Sequence, residues 1–427
     1  MSTPSQILVV GNPCLDTIFH NDTIVAESLG GAVSFINLTL SSLSIDTHLI
    51  SKAGLDFKYR ETLDSPPLMI LPDSKTTRFE ARFGGGDDRV LKRVSSCENI
   101  LENDVESFDF GEGSDRVFKR VSACETILGD DRRKDFGVGS DRVLKRVSAC
   151  QPIRGNDLPM MKNFGFGMAV GVGGEVTPEV IERMVEICLV VVVDVQGLIR
   201  VFDGVDGKVG LVGLKESGFY HLMNRIGFLK ASAEEEVCMD VEEVRKMCCV
   251  VITNGKNGCR VCWSDGEVNV GAFKAVEVDP TGAGDSFLGG FVGGLVMGLD
   301  VADAGLLGNF LGALTVEQVG LPKFDGRLMQ SVKAEVQKRR LQYSGSHAEK
   351  EEGIRFLKSA GHVQFREALA AVKLSSASPQ QKQRQDTSNL NNGAVVHGTN
   401  GKYIEQQKLI ANGTVDDSIV SISYAMK

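Results

Sequence analysis

Short apolar runs alternate with amphipathic segments along most of this chain, and their lengths sort them into strands and helices. Ile7 to Val10 is a strand-like run, and residues 6–57 go on alternating such runs with a helix-like segment from Gly31 to Leu43. Thr177-Pro178-Glu179 puts a cap residue before a proline at the first helical position, so a helix starts there. Val180 to Ile187 then carries apolar residues at helical spacing, and Leu189 to Val193 is an unbroken aliphatic run ending at Asp194. A strand so apolar is buried on both faces, which makes this stretch a βαβ unit of a parallel sheet. Val250 to Thr253 and Phe273 to Val278 predict further strands; Ser286 to Leu299 and Val301 to Gln318 predict paired helices. The whole is an α/β pattern: an open, mostly parallel sheet with helices on both faces. In such sheets ligands bind beyond the carboxyl ends of strands, which is where Asp194, Thr253 and Asp285 fall. Gly165 to Gly171 is glycine-rich, but its spacing differs from a dinucleotide fingerprint and no turn and helix open between the glycines, so it reads as a strand with close backbone neighbours.

Composition narrows the partners. The 427 residues carry a formal charge of −9, which argues against a face that neutralises nucleic-acid phosphates. Met1 to Gln6 is polar and leads into only four apolar residues, too few for a signal-peptide core, and the richest apolar stretch, Phe287 to Leu299, is short and holds five glycines. A buried helix is expected there, with no membrane partner. Ten cysteines without a secretory signal fit reduced thiols in a cytoplasmic protein. Cys259 and Cys262 have metal spacing, but no second pair follows, and the alternation around them predicts a strand with one thiol on each face. The six histidines form no ligand-spaced cluster.

One feature interrupts the pattern. Asp88 to Ile100 (DRVLKRVSSCENI), Asp115 to Ile127 (DRVFKRVSACETI) and Asp141 to Ile153 (DRVLKRVSACQPI) are near copies, stepped by 27 and then 26 residues. The acidic, glycine-rich linkers and few apolar positions per copy are too little for a solenoid. A duplication or a misjoined gene model, hanging out as a loop over about 88–140, accounts for it. Lys-Arg-Val-Ser ends at Ser95, Ser122 and Ser148, a spacing that suits basophilic protein kinases, though duplicated copies are one observation rather than three. After Asp325 the composition turns polar: Arg327 to Arg340 and Glu352 to Leu374 predict helices, and Ser375 to Gly401 is Ser/Gln/Asn-rich with little to bury. The domain map is therefore residues 1–325, interrupted at 88–140, and a tail over 326–427.

The chemistry concentrates in Asp279-Pro280-Thr281-Gly282-Ala283-Gly284-Asp285. Small residues at a helix start leave backbone N–H groups unpaired beside the positive end of the helix dipole, which makes an anion site of Gly282, Ala283 and Gly284. Asp285, in the first turn, is placed to take a proton from a hydroxyl. The combination reads as phosphoryl transfer. Asp-x-Thr-Gly-Ala-Gly-Asp-Ser-Phe resembles the C-terminal signature of the PfkB, or ribokinase-like, carbohydrate kinases. Thr253-Asn254-Gly255-Lys256-Asn257-Gly258 resembles that family's nucleotide loop, Gly11 to Asp16 its first substrate loop, Gly30-Gly31 its diglycine and Gly54-Leu55-Asp56 its Gly-x-Asp turn. The likeness runs over about residues 6–325, and its wording is closest to the plant inositol 3-kinase-like branch.

This resemblance implies a small β lid beside the sheet, ATP as co-substrate, Mg²⁺, and a polyol acceptor, with myo-inositol first. It implies Asp285 as base, Asp16, Gly30, Gly31 and Asp56 at the polyol, and Ser232, Thr253, Gly255, Gly258, Thr281 and Asn309 around the nucleotide. Lys230 to Glu235 resembles the family's Asn-x-x-Glu segment with Ser232 in the Asn place, and Glu235 would hold the metal through water. Where many members have an Asn after the diglycine, this chain has Ser34 and Phe35. The alternatives are a kinase for another sugar or a nucleoside, and a catalytically weak member acting as a scaffold through its repeats and tail.

Overall fold

Successive side chains of a strand point to opposite faces, and the first strand, β1 (Ile7–Val10), has an apolar residue for each. Ile7 and Val9 enter one core, Leu8 and Val10 the other. The computed structural model describes residues 7–20, 23–62, 68–83, 89–90, 145–159, 164–204, 207–344 and 353–376. After β1 come β2 (Cys14–His20), β3 (Thr23–Gly30), helix α1 (Ala32–Ser42), β4 (Thr47–Gly54), β5 (Leu68–Leu71), β6 (Thr77–Phe83), β7 (Arg89–Val90), β8 (Lys145–Ser148) and β9 (Phe164–Ala169). Next are α2 (Pro178–Ile187), β10 (Cys188–Asp194), α3 (Gln196–Ile199), β11 (Arg200–Phe202), β12 (Val209–Leu211), β13 (Phe228–Ser232), α4 (Val241–Val244) and β14 (Cys249–Thr253). The order ends with β15 (Cys259–Trp263), β16 (Gly266–Val270), α5 (Ala283–Val296), α6 (Val301–Thr315), α7 (Gly326–Ser344) and α8 (His362–Ser376).

Nine strands form the main sheet in the order β16-β15-β14-β13-β10-β9-β1-β4-β5. All its pairings are parallel except those of β15. One face carries α1, α5 and α6, the other α2, α3 and α4, so the expected doubly covered sheet is present. Cys259 and Cys262 fall in opposite cores, as the alternation predicts. A second sheet, β3-β2-β6-β7 with β8 also on β6, forms the lid, and β11 and β12 make a two-stranded ribbon. The glycines of α5 and α6 bring these helices into close contact: a Cβ on Gly308 would lie 2.8 Å from Phe287.

Several local expectations are corrected. Phe273 to Val278 is irregular rather than a strand. Phe273 is held edge-to-face on Phe310, while the N–H groups of Val276 and Val278 bond to the Glu317 carboxylate and the Val316 carbonyl, so no strand partner is needed. Helix α5 starts at Ala283, before Ser286, because Ser286 N–H closes the first turn on Gly282 O. Thr177 occupies the cap position of α2, yet its hydroxyl makes no capping bond. Leu189, expected to be buried, is 55% exposed at the start of β10. The second tail helix begins at His362 and not at Glu352, after Gly361 turns the chain at φ 85°.

Helices α7 and α8 lie beyond the Asp325 boundary and contribute Leu328, Met329, Val332, Val336, Phe365 and Leu369 to the core shared with α5 and α6. Buried Asp303 of α6 accepts from Arg339 Nε of α7 at 2.7 Å, from Tyr343 and from His362 of α8. Of the surplus repeat residues 88–140, only Arg89 and Val90 are described; the rest, and the tail from 377 on, lie outside the described residues. β7 pairs Arg82 with Val90, and β8 pairs Phe79 with Arg146, on the same edge of β6. Removing Asp88 to Ser140 leaves one complete repeat to run along that edge, and closing a loop costs only logarithmically in its length. The shortened protein should therefore be soluble, with a melting temperature and activity at least equal to those of the full chain; unfolding on deletion would make the insertion part of the core.

Candidate active site

Two neighbouring strands of the main sheet carry opposite charges. Asp194 closes β10, Lys230 is the middle residue of β13, and the parallel register sets them side by side. Lys230 Nζ donates to Asp194 Oδ2 at 3.0 Å with both side chains buried, and Gln196 adds donors from its N–H and its amide. Burial pushes the Asp194 carboxyl up, and the ammonium opposes it. For Lys230, burial works against the charge but is outweighed by Asp194, Glu235 and Asp285, so the ammonium stays protonated well above the ordinary lysine range.

This ammonium sits against the start of α5. A Cβ on Gly284 would come within 3.3 Å of Lys230 Nζ. The loop before the helix is tied by Asp279, whose carboxylate accepts from Thr281 N–H at 2.9 Å and Gly320 N–H at 3.2 Å. Gly282 then takes φ 74°, and a Cβ there would lie 2.0 Å from the Phe35 ring, so this position requires glycine on both counts. The Ala283 N–H turns to Pro280 O at 3.3 Å, whereas the amides of Gly284 and Asp285, in the first turn, have no intrahelical acceptor. Of the three residues expected in the anion hole, one therefore already has an internal partner. Asp285 is half-buried. Burial and the charges of Asp194 and Glu235 push its carboxyl up to about 6, with Lys230 and Arg200 pulling the other way.

Ser232 and Glu235, beyond β13, hold each other: Ser232 N–H donates to Glu235 Oε2 at 2.9 Å and Glu235 N–H to Ser232 Oγ at 3.2 Å. This is the reciprocal Ser-x-x-Glu arrangement, so serine keeps the turn despite the missing Asn. Glu235 is buried, and burial is outweighed by Lys230 and Arg200, which hold its carboxyl below the usual range; Arg200 lies 4.0 Å away. Among the described residues no group of three or more His, Cys, Asp or Glu is arranged to hold a metal. A largely hydrated Mg²⁺ needs only one or two carboxylates and the phosphates, and the ionised Glu235 fits that demand.

At the other end, Asp16 in β2 faces Gly30 at the end of β3, where a Cβ would lie 1.9 Å from Asp16 Oδ2. Gly31, at φ 87°, turns the chain into α1, and Ser34 Oγ donates to Gly30 O at 2.8 Å. Cys14 lies between the two ends: burial and the charges of Asp16, Glu175 and Asp285 all push its thiol up, which puts three carboxylates within electrostatic reach of one sulfur. Asp56 is engaged elsewhere. It accepts from Thr76 N–H and hydroxyl and from Arg78, and these bonds outweigh burial and hold its carboxyl below the usual range.

Thr253 ends β14 and donates to Ala231 O at 3.3 Å, with Gly255 and Gly258 in the following turn at φ 46° and 93°. Asn309 is buried in α6 and its amide donates to Val270 O at 3.0 Å and Gly271 O at 3.3 Å, fastening the end of β16. The structure thus brings Asp285, Gly284, Ser232 and Glu235 around Lys230. The sequence reading assigned no role to Lys230, Arg200, Asn12 or Glu175. Glu175 accepts the N–H groups of Asn12, Val172 and Gly173 and shapes the loop beside Cys14. The available signal was a lysine within the apolar run Phe228 to Ala231, because a buried lysine requires a partner.

Residues 220–323 match the profile of the pfkB family carbohydrate kinases. The chain is 47% identical over 383 residues to an inositol 3-kinase of Arabidopsis thaliana, covering 88% of this chain and 89% of that one. Identity to an inositol 3-kinase of Zea mays is 39%, over 76% of each chain. The fold is similar to that of a pyrophosphate-dependent ribokinase-family kinase solved with a pyrophosphate analog and myo-inositol, at TM-score 0.54 and 15% identity, over 74% of this chain and 97% of that one. It is also similar to that of the Methanocaldococcus jannaschii nucleoside kinase, at TM-score 0.51 and 18% identity, over 80% and 100%. With the lid, the doubly covered sheet and the Thr-Gly-Ala-Gly-Asp helix start in place, this chain belongs to the pfkB family of carbohydrate kinases.

Proposed function

We propose that the protein is an ATP-dependent inositol 3-kinase, transferring the γ-phosphate to a hydroxyl of myo-inositol, with Mg²⁺ held through water by Glu235. The observation that carries the kinase reading is a carboxylate raised to about 6 in the first turn of a helix whose N-terminus also abuts a buried ammonium. A base with a pKa near neutrality is ionised at working pH and still takes up a proton readily. Asp285 accepts the proton of the attacking hydroxyl, and the amides of Gly284 and its neighbours with Lys230 offset the charge on the transferring phosphate. Mg²⁺, when bound, neutralises charge on the nucleotide phosphates. Asp16 accepts two hydroxyls of the polyol, and the bare Gly30 lets the ring approach the backbone. Thr253, Gly255, Gly258, Thr281 and Asn309 form the nucleotide side. Identity of 47% to a plant inositol 3-kinase supports the acceptor. An assay of polyols, sugars and nucleosides with ATP or pyrophosphate as donor tests the whole reading; a nucleoside or sugar preferred to myo-inositol overturns the acceptor, and no turnover with any pair leaves the scaffold.

Asp285→Asn should leave nucleotide affinity nearly intact and lower kcat by roughly a hundredfold to ten-thousandfold. Its stability should move the other way. A carboxyl raised from 3.8 to about 6 favours the folded state only while protonated, and that advantage is lost as pH rises through this window. At pH 7.5 the neutral amide should therefore raise the melting temperature, by up to about 3 kcal/mol of stability. An unchanged kcat removes Asp285 from the mechanism, and an unchanged melting temperature removes the electrostatic cost.

Asp16→Ala should raise KM for myo-inositol far more than KM for ATP, since a charge-assisted hydrogen bond is worth about 1.5–3 kcal/mol. Equal effects on both would put Asp16 outside the polyol site.

The acid limb of the rate profile follows the ionisation of Asp285. Lys230→Met takes away a positive charge, so the limb should shift to higher pH; Asp194→Asn takes away a negative one, so it should shift lower. Shifts of the same sign would mean that the pair acts only through packing.

A further inference from the structure

The strand on the edge of β6 away from β2 is built from two copies of the repeat. β7 belongs to copy one and sets Arg89 opposite Phe83 and Val90 opposite Arg82. β8 belongs to copy three and sets Lys145 opposite Glu80 and Arg146 opposite Phe79. In an antiparallel pair each step forward on one strand is a step back on the other. From Arg82, opposite Val90, to Glu80, opposite Lys145, is two steps back along β6, the same two residues that separate Val90 from Lys92 in the sequence. Lys92 and Arg93 are the copy-one equivalents of Lys145 and Arg146, 53 residues earlier in the sequence. The described residues of copies one and three therefore meet β6 in equivalent register.

What the groove requires is also identical in every copy. Arg146 donates to Gly173 O and lies 3.7 Å over the Phe202 ring. Val147 is buried, Ser148 Oγ donates to Thr76 O, Cys150 N–H donates to Thr77 Oγ1 and Ile153 N–H to Glu175 O. Copy one has Arg93, Val94, Ser95, Cys97 and Ile100 in these places, and copy two repeats all five 27 residues later. Over residues 145–153 the copies differ only at 149, 151 and 152. Gln151 and Pro152 serve through their carbonyls, which accept from Asn12 and Lys52, and any residue supplies a carbonyl.

We propose that the β6 edge is a strand-docking groove in which copy one of the same chain, Lys92 to Ser95, can replace Lys145 to Ser148. The exchange keeps every residue type that makes these side-chain contacts, and loop closure responds only to the logarithm of loop length. The segment reaches the Glu175 and Asn12 loops beside Cys14, so either occupant rebuilds the same rim of the site.

The test uses the full chain. Val147 is 3% exposed, and an aspartate there puts an unpaired charge in the groove. Val147→Asp alone should keep the melting temperature within about 2 °C and kcat/KM within about twofold of the parent, because another copy takes the place. Val94→Asp/Val121→Asp/Val147→Asp, which spoils all three, should unfold or lose activity by roughly tenfold or more. Equal damage from the single and triple variants overturns the exchange, and a triple variant as sound as the parent overturns the groove. On size exclusion Val147→Asp should elute with the parent at all concentrations; a concentration-dependent dimer would mean that a second molecule donates the strand, which overturns the assignment to the same chain.

Discussion

The ion pair between Asp194 and Lys230 is the interaction on which the rest of the site depends. Two buried charges are costly unless each is the other's partner, and here the sheet register supplies the partner without a loop or a side-chain rearrangement. The pairing holds a positive charge beneath the first turn of α5. Five charged groups share the region: Lys230 and Arg200 against Asp194, Glu235 and Asp285. The balance is one negative charge, before any phosphate arrives. Such a site holds a polyphosphate poorly on its own, which is the physical reason a divalent cation suits it.

The polyol and phosphate ends are joined by packing as well as charge. Phe35, in α1 directly after the diglycine, lies against Gly282, so the turn that shapes the polyol side also supports the helix start. Phe35 is thus an apolar brace between the two halves. The raised carboxyl of Asp285 belongs to the same economy of structure. Partial burial and the neighbouring carboxylates make its ionised form costly, and a nearby ammonium moderates the cost without removing it.

Fold class, the strand ends at Asp194 and Thr253 and the small-residue turn before α5 were legible because they rest on local pattern: aliphatic runs, a Thr-Pro helix start and glycines before an apolar helix. What was not legible depended on register. Nothing near Lys230 in sequence announces Asp194, which comes 36 residues earlier on another strand, and nothing near Asn309 announces the carbonyls of Val270 and Gly271 that occupy its amide. Phe273 to Val278 looked like a strand by composition, but β16 already forms the edge of the sheet and the segment finds its hydrogen bonds on α6 and Glu317. Asp56 matched a motif, and its carboxylate proved to be spent on Thr76 and Arg78.

The helices beyond Asp325 read as polar because their charged faces dominate their composition, while what they contribute is narrow and deep. The α5–α6 hairpin is rich in glycine, which lets the two helices approach but gives each little side-chain bulk to hold it from outside. Met329, Val332 and Val336 cover it, and Asp303 fastens it, held below the usual carboxylate range because hydrogen bonds from His362, Tyr343 and Arg339 outweigh its burial. That clamp grips the N-terminal end of α6, and α6 runs back to Val316, whose carbonyl accepts the N–H groups of Val278 and Asp279. Asp279 in turn ties Thr281 and Gly320. A continuous line of bonded and packed groups thus leads from α7 and α8 to the loop that opens at Gly282, and the anion site owes its fixed shape to residues that its own motif does not contain.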